Sequence, residues 1–346
     1  MPVLVPRHIQ VRRLYLPTLI YPPLVFAGLL ITLWAYKCLM MIVFQNQIIY
    51  MPSIPPFSRS EKIADYEALC KPVRWREERI KSADGMEVAL AVGSVPLEAD
   101  VTGKGEGRKN IVVLYFQGNG SSLPPRLPGL SQVLKSLHAN SLVENSPKYT
   151  IAALSYRGFW TSHGRPSERG INLDAAAALA WASKEFPPDS ILVVWGQSLG
   201  AGVAVCALDA NLEQESTKNK AKTLEIKGLL LETPFTSVRA MLVALYPQKW
   251  LPYRYLSPFL WNHWDSIQTL SRISASHAEP KVLVLPAGDD ELVPQAHAME
   301  LEAVCKDGKM DVKRTVVKGA LHHEVVAKPQ GRAAVVEFLK QIEEQA

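Results

Sequence analysis

The chain has 346 residues, enough for a sizeable core and for either two domains or one large α/β domain. With 48% hydrophobic and 21% charged residues, it has the composition of a globular protein that carries one extra apolar segment. The net charge of +5 is modest, no basic block indicates a nucleic-acid partner, and the four cysteines form neither a zinc pattern nor a disulfide framework.

The first part of the chain has the composition of a membrane-spanning helix. Residues 14–36 carry no charge, and such a stretch of about 23 residues is long enough to cross a bilayer. After Lys37 the apolar run continues. A cleaved signal peptide is disfavoured, because the run is too long and no small-x-small cleavage site follows it. We therefore expect a transmembrane signal anchor over residues 14–44, with its continuous helix beginning near Leu24, after a group of prolines.

Charge asymmetry predicts the orientation of this anchor. Arg12 and Arg13 flank the apolar run on its N-terminal side, whereas only Lys37 and a mixed-charge stretch follow it. The positive-inside rule therefore places residues 1–13 in the cytoplasm and the bulk of the chain across the membrane. For an anchored protein without an obvious exit signal, we expect the endoplasmic reticulum membrane, with the larger part of the chain in the lumen.

The remainder of the chain divides into a linker and a domain of alternating strands and helices. Residues 45–74 contain prolines and serines that are typical of a linker. From residue 75, a hairpin closed by the two-residue turn Asp84-Gly85 precedes at least five apolar strands, each followed by a helix. Strands that are apolar throughout indicate a parallel sheet with helices on both faces. This arrangement predicts an α/β-hydrolase fold over residues 75–346.

One serine lies between two glycines in the stretch VVWGQSLGAGVAV, where Gly196, Ser198 and Gly200 have the spacing G-x-S-x-G. In a nucleophile elbow the serine occupies a sharp turn between a strand and a helix, and the residues two before and two after it are pressed together. Here an apolar strand precedes Ser198 and a helix of small residues follows it. The pattern predicts that Ser198 is a nucleophile; the alternative is a glycine-rich turn with an incidental serine.

A serine nucleophile needs a base, and an acid that orients the base. In this fold they follow in the order serine, acid, histidine, on loops after later strands. Asp289 and Asp290 follow the apolar strand KVLVLP, and His322 and His323 follow the next strand. Aspartates in this position are also common helix caps, and histidines are common in solvated loops. The order nevertheless favours a triad, with Glu232 at the end of an earlier strand as a reserve acid.

The same chemistry needs an oxyanion hole formed by two backbone N–H groups. We expect one from Leu199, directly after the nucleophile. The other is expected from the loop QGNGSS, where Gly118 lets the backbone turn toward the pocket and Asn119 is the candidate donor. The alternative for this loop is an ordinary Gly-Asn-Gly turn. Such chemistry requires neither a metal nor a cofactor, and none is expected.

Six motifs occur in the order QGNG, SYRGFWTSHGRPSERGINLDAAAAL, WGQSLGAGVA, LLLETPFTS, DELVP and HHE. In this order they resemble the bud-emergence family of single-pass membrane α/β-hydrolases, which is similar to mammalian α/β-hydrolase-domain lysophospholipases and depalmitoylases. The resemblance runs from the membrane segment to the C-terminus and implies Ser198 as nucleophile, Asp290 as acid and His322 as base. The sequence departs from the family at Gln117, where a histidine is usual, and in the glycine before the acid, which is displaced by one residue and leaves Asp289 open.

Residues 238–273 form a helical, aromatic insertion that is expected to be a lid over an acyl pocket; core packing of short helices is the alternative. The sequence and the resemblance together predict a membrane-anchored serine hydrolase that cleaves a lipid-derived ester or thioester. Its expected partners are a lipid membrane and an acyl substrate, and not nucleic acid. The alternative is a non-catalytic polarity or scaffold protein on a hydrolase fold, which has no reason to keep all three triad groups.

Overall fold

Eight strands within the described part of the chain form a single sheet. The computed structural model describes residues 18–96, 108–139, 147–216, 223–276 and 280–345. The strands are β1 (Arg74–Lys81), β2 (Glu87–Ser94), β3 (Asn110–Phe116), β4 (Lys148–Ser155), β5 (Ile191–Gln197), β6 (Ile226–Glu232), β7 (Lys281–Leu285) and β8 (Val312–Arg314). Their spatial order is β1-β2-β4-β3-β5-β6-β7-β8. Strand β2 pairs antiparallel with β1 and β4, and the other pairs are parallel. The predicted hairpin followed by parallel units is therefore confirmed.

The described residues contain ten α-helices. They are α1 (Tyr21–Val43), α2 (Gln45–Tyr50), α3 (Glu67–Cys70), α4 (Leu127–Ala139), α5 (Glu168–Glu185), α6 (Leu199–Ser216), α7 (Val238–Leu245), α8 (Ser266–Ala275), α9 (Gln295–Asp307) and α10 (Pro329–Glu344). Helix α5 begins at Glu168 because Ser167 caps it and accepts a hydrogen bond from Gly170 N–H.

Two apolar clusters cover the two faces of the sheet. Successive residues of β5 alternate between them: Leu192 and Val194 belong to one cluster, and Val193 and Trp195 to the other. Because side chains of a strand point alternately to opposite faces, a strand that is apolar throughout must be covered on both. This double burial holds the carboxyl end of β5 in place at the centre of the sheet.

The hairpin between β1 and β2 has a three-residue loop, one residue longer than expected. Ser82 N–H donates to Met86 O at 2.9 Å, which leaves Ala83, Asp84 and Gly85 in the loop. Gly85 has a positive φ of 80°, the conformation that glycine supplies at the last position of such loops. The expected glycine turn is present, and the extra residue lies before it.

Helix α1 is long and apolar enough to cross a membrane, and it is the one such helix in the described residues. It begins at Tyr21, three residues before Leu24, because Pro22 and Pro23 lie in its first turn, where backbone N–H groups have no partner within the helix. None of its side chains is buried against the rest of the protein. The predicted cytoplasmic segment 1–13 lies outside the described residues.

Residues 45–74, expected to be a linker, are instead folded onto the domain. The Gln45 side chain accepts a hydrogen bond from Trp261 N–H at 2.7 Å. Tyr50 is fully buried, and its hydroxyl donates to Asn262 Oδ1 at 2.7 Å. These partners lie more than 200 residues further along the chain, so the local composition could not indicate them. Helix α2 therefore fixes the end of α1 against the insertion that follows β6.

The insertion after β6 is shorter than the expected range 238–273. Helix α7 and the 3-10 turn Ser257–Phe259 have no buried residue, and the 3-10 turn Pro252–Tyr255 buries Tyr253 alone. Trp264 is fully buried, and α8 packs into the core through Leu270 and Ile273. The lid-like part therefore ends before Trp264, and the amphipathic α8 belongs to the layer that covers the sheet.

Candidate active site

Ser198 occupies a strained turn between β5 and α6. Its φ is +52°, in the left-handed region that residues other than glycine rarely adopt. A Cβ atom on Gly196 would lie 2.0 Å from Gly200 O, and one on Gly200 would lie 1.9 Å from Phe116 O. Neither glycine position has room for a side chain, as the spacing of the motif predicts. The turn has the geometry of a nucleophile elbow.

Three side chains from different loops form one hydrogen-bonded chain at the carboxyl edge of the sheet. The Oγ of Ser198 lies 2.9 Å from Nε2 of His322. The Nδ1 of His322 lies 2.9 Å from Oδ2 and 3.0 Å from Oδ1 of Asp290. Asp290 is fixed in turn, because its Oδ1 accepts hydrogen bonds from the backbone N–H groups of Leu292 and Val293. The structure thus brings together the three residues that the sequence predicts as a triad.

The electrostatic environment keeps Asp290 ionised. Burial favours the neutral carboxyl, but the hydrogen bonds from His322 and from Val293 N–H outweigh it and hold the pKa of Asp290 below its usual range. The His322 and Asp290 side chains are 1% and 3% exposed, so water does not compete for the bond between them. A carboxylate in this position stabilises one tautomer of the imidazole and the cation formed when it takes a proton.

The other candidate acids do not contact the base. Asp289 is exposed, and its backbone N–H donates to Ala320 O at 3.0 Å. Glu232 is buried, and it accepts a hydrogen bond from Trp195 Nε1 at 2.9 Å. Burial raises the pKa of Glu232 to about 7, against the opposing hydrogen bond. The geometry therefore favours Asp290 over Asp289 and Glu232 as the partner of His322.

The two neighbouring histidines have different surroundings. His323 packs edge-to-face against His322, with 4.9 Å between ring centroids, and it lines the cavity above Ser198. Burial lowers the pKa of His323 to about 4, so its ring is neutral near pH 7. Glu291 accepts a hydrogen bond from the backbone N–H of His322 at 2.9 Å and so fixes the histidine loop. Sequence reasoning missed Glu291, because nothing local distinguishes it from a solvated residue.

The loop of residues 117–122 runs alongside the serine. A Cβ atom on Gly118 would lie 3.4 Å from Ser198 Cβ, so the loop backbone passes within van der Waals distance of the nucleophile. Asn119 and Leu199 both line the cavity. In the part of the chain that the structure describes, the backbone N–H groups of these two residues have no hydrogen-bond acceptor. Two unpartnered donors beside a nucleophile are what an oxyanion hole requires.

A cavity of about 890 Å³ lies over Ser198, and its wall has an apolar part and a polar part. The apolar part comes from α1, from α2 and from the insertion: Met41, Ile42, Ile49, Met241, Leu245 and Phe259. The polar part comes from residues around the sheet edge: Arg126, Gln197, Glu232 and His323. Sequence reasoning did not single out Arg126, whose position depends on the path of the loop after β3.

Comparison with known proteins gives relatives over most of the chain, although no protein-family model matches it. It is 28% identical over 310 residues to an uncharacterised protein of Mycobacterium tuberculosis, covering 89% of this chain and 88% of that protein. It is 32% identical to the lysophosphatidylserine lipase ABHD12 of Danio rerio over 226 residues, 64% of this chain and 50% of the lipase. It is 28% identical to protein bem46 of Schizosaccharomyces pombe over 199 residues, 57% of each.

Solved structures share the fold at low sequence identity. An α/β-hydrolase from Vibrio vulnificus superposes with a TM-score of 0.61 at 17% identity, covering 88% of this chain and 92% of that one. The Pyrococcus furiosus esterase Pf2001 superposes with a TM-score of 0.53 at 19% identity, covering 80% and 92%. The chain is therefore an α/β-hydrolase by fold. The resemblance to the bud-emergence group is confirmed by its sequence relatives, which include the lysophosphatidylserine lipase and protein bem46.

Proposed function

We propose that this protein is a membrane-anchored serine hydrolase that cleaves a lipid-derived ester or thioester through an acyl-enzyme. The hydrogen-bonded chain from Ser198 Oγ through His322 to Asp290 carries the proposal. In the first step Ser198 Oγ attacks the carbonyl carbon of the substrate, and His322 Nε2 takes the hydroxyl proton. Asp290 accepts the hydrogen bond from His322 Nδ1–H and stabilises the imidazolium that forms.

The tetrahedral intermediate then collapses toward the acyl-enzyme. Its negative oxygen accepts hydrogen bonds from the backbone N–H groups of Leu199 and Asn119, which have no other partner among the described residues. The bond to the leaving oxygen or sulfur breaks as His322 returns its proton to that atom. Water repeats the sequence on the acyl-enzyme: its oxygen attacks the acyl carbon while His322 takes one of its protons. The bond to Ser198 Oγ then breaks as His322 returns that proton to Oγ, and the free acid leaves.

The apolar part of the cavity supports a substrate with an acyl chain. Met41 and Ile42, the last turn of α1, form one side of it, and Phe259 of the insertion forms another. Each methylene that leaves water for such a surface contributes about 0.8 kcal/mol, so a long chain is favoured over a short one. If α1 spans the bilayer, its end lies at the membrane boundary, and the cavity is then within reach of membrane-resident acyl chains.

Contacts between α1 and the insertion support a position at the membrane surface. Trp34 of α1 and Trp250 of the insertion have ring centroids 6.0 Å apart, and the Lys37 ammonium lies 5.6 Å from the centroid of the Tyr253 ring. Trp34 is nine residues before Val43, the end of α1, a distance of about 14 Å along a helix. If the end of α1 lies at the membrane boundary, this part of the insertion follows α1 below that boundary into the bilayer, and the Lys37 ammonium extends back toward the interface.

Active-site labelling tests the proposed chemistry. A fluorophosphonate probe reacts covalently with an activated serine, so the full-length protein in membranes or mild detergent is expected to label and Ser198→Ala is expected not to. Ser266→Ala is a matched control, because Ser266 is a buried serine outside the cavity wall whose hydroxyl has no hydrogen-bond partner among the described residues, and this variant is expected to label. A wild-type protein that stays unlabelled while a known serine hydrolase in the same sample reacts would favour the scaffold alternative.

Protease protection in sealed microsomes tests the proposed orientation and residence. The charge asymmetry at Arg12 and Arg13 favours a luminal catalytic domain in the endoplasmic reticulum. A tag at the C-terminus is then expected to resist added protease until detergent opens the vesicles, whereas a tag at the N-terminus is expected to be digested at once. Digestion of the C-terminal tag in intact vesicles would show that the catalytic domain faces the cytoplasm and would contradict the proposed orientation.

A further inference from the structure

The cavity wall contains a positive charge, Arg126, that has no carboxylate partner among the residues the structure describes. Arg126 Nη1 donates a hydrogen bond to Gln197 Oε1 at 2.5 Å, while Arg126 Nε is buried and has no hydrogen-bond partner. Within the described residues, no carboxylate oxygen lies within the 4.0 Å of the guanidinium that defines an ion pair. A guanidinium with unused donors in a partly buried site favours the binding of an anion, because the donors otherwise lose their hydration without compensation.

The acid on the same wall does not neutralise Arg126. Glu232 accepts its hydrogen bond from Trp195 rather than from the guanidinium. Its pKa is raised to about 7 by burial, even though the hydrogen bond from Trp195 and the charge of Arg126 both oppose the shift. Near neutral pH a large fraction of Glu232 is therefore uncharged. The neutral His323, which also lines the cavity, adds no positive charge of its own but offers a ring nitrogen as a further partner.

Arg126 lies close to the reacting atoms. Its acceptor Gln197 is the residue immediately before Ser198. A Cβ atom on Gly118 would be 3.6 Å from Gln197 Oε1 and 3.4 Å from Ser198 Cβ, so the amide that holds Arg126 is in contact with the expected oxyanion loop. The guanidinium is therefore linked through the Gln197 side chain to the loop that is expected to bind the substrate carbonyl. An anionic group on the substrate, a few bonds from the scissile ester, is then within reach of the Arg126 guanidinium.

We propose that Arg126 binds an anionic group, a phosphate or a carboxylate, on the alcohol part of the substrate. The proposal rests on the hydrolase function proposed above. The apolar wall formed by α1, α2 and the insertion holds the acyl chain, which leaves the polar wall to the other side of the ester. The planar guanidinium fork matches the oxygens of both anions, and Arg126 Nη2, which makes no hydrogen bond among the described residues, lies beside the nitrogen that contacts Gln197. The substrate class is thus an anionic single-chain amphiphile.

Matched substrates test this assignment on the full-length protein in mild detergent. They are 1-oleoylglycerol, which is neutral, its 3-phosphate, and 3-O-oleoyl glycerate, which carries a carboxylate. The readout is the ratio of kcat/KM for an anionic ester to kcat/KM for the neutral one, since general damage to the site cancels in this ratio. We expect the wild-type ratio to favour an anionic ester, Arg126→Gln to lower that ratio at least about tenfold, and Arg126→Lys to restore part of it. The anionic ester that gives the higher wild-type ratio shows whether Arg126 binds a phosphate or a carboxylate.

A control variant and a binding measurement separate failure of this inference from failure of the hydrolase function. Arg239→Gln also removes one positive charge, but Arg239 is exposed on α7 and does not line the cavity, so its ratio is expected to equal that of the wild type. Equilibrium binding of the same three lipids to Ser198→Ala reports on Arg126 without any turnover, and adding Arg126→Gln is expected to weaken anion binding at least about tenfold. If the wild type reacts with the fluorophosphonate probe but Arg126→Gln changes neither the kcat/KM ratio nor the lipid binding, the anion site alone is overturned. If the wild type does not react with the probe, the hydrolase function is overturned.

Discussion

Replacing His322 by alanine is expected to lower kcat at least about a thousandfold. Serine at its free pKa is a poor nucleophile, and His322 Nε2 is the group within hydrogen-bond distance of Ser198 Oγ, at 2.9 Å. The measurement is steady-state hydrolysis of a soluble chromogenic ester by purified full-length protein in mild detergent. A thermal melt of the same preparation distinguishes loss of the base from loss of the fold.

His323→Ala is the matched control for this result, because it removes an imidazole at the neighbouring position of the same loop. His323 packs against His322 and lines the cavity, but no hydrogen bond joins it to Ser198 or to Asp290. We expect its loss to reduce kcat less than about tenfold, through altered packing around His322. A larger effect from His323→Ala than from His322→Ala would show that the base has been assigned to the wrong histidine.

The catalytic chain could be predicted because each of its members leaves a local or ordered signal in the sequence. A Cβ atom on Gly196 or Gly200 would lie about 2 Å from a backbone oxygen, so the turn at Ser198 requires glycine at both positions. The motif therefore predicts the turn. Asp290 and His322 follow apolar strands in the order that the parallel sheet requires. The choice between Asp289 and Asp290 needed coordinates, because adjacent residues of one loop differ only in where the backbone points them.

The features that the sequence did not predict depend on contacts between distant parts of the chain. Gln45 and Tyr50 bind residues beyond position 260, so a segment with the composition of a linker is in fact packed. Arg126 became a candidate only when the loop after β3 brought it to Gln197. The end of the insertion was misplaced for the same reason, because the aromatic Trp264 looks locally like a lid residue and is buried in the core.

The packed segment 45–74 connects the apolar helix α1 to the site. Because α2 is fixed by Tyr50 and Gln45, the end of α1 is held beside the cavity and contributes Met41 and Ile42 to its wall. The packed segment gives the cavity one position relative to α1. If α1 spans the bilayer, as we propose, an acyl chain would then reach Ser198 from the membrane side.

Asp290→Asn is expected to lower kcat by a factor on the order of a thousand to ten thousand while leaving the fold intact. The asparagine oxygen can still accept from the backbone N–H groups of Leu292 and Val293, so the loop keeps its anchors. Its amide, however, is a hydrogen-bond donor. If the amide N–H faces His322, it selects the tautomer with the proton on Nε2, and that nitrogen can no longer take the proton of Ser198.

The matched control is Asp289→Asn, which makes the same chemical change one residue earlier. Asp289 is exposed, and its backbone N–H donates to Ala320 O, a hydrogen bond that the substitution preserves. We therefore expect kcat within about threefold of the wild type, measured by hydrolysis of the same chromogenic ester at pH 7, with the far-ultraviolet circular dichroism of both variants unchanged. If Asp290→Asn retains turnover and Asp289→Asn or Glu232→Gln abolishes it, the acid is one of those residues. The bond between His322 and Asp290 would then only hold the histidine loop in place.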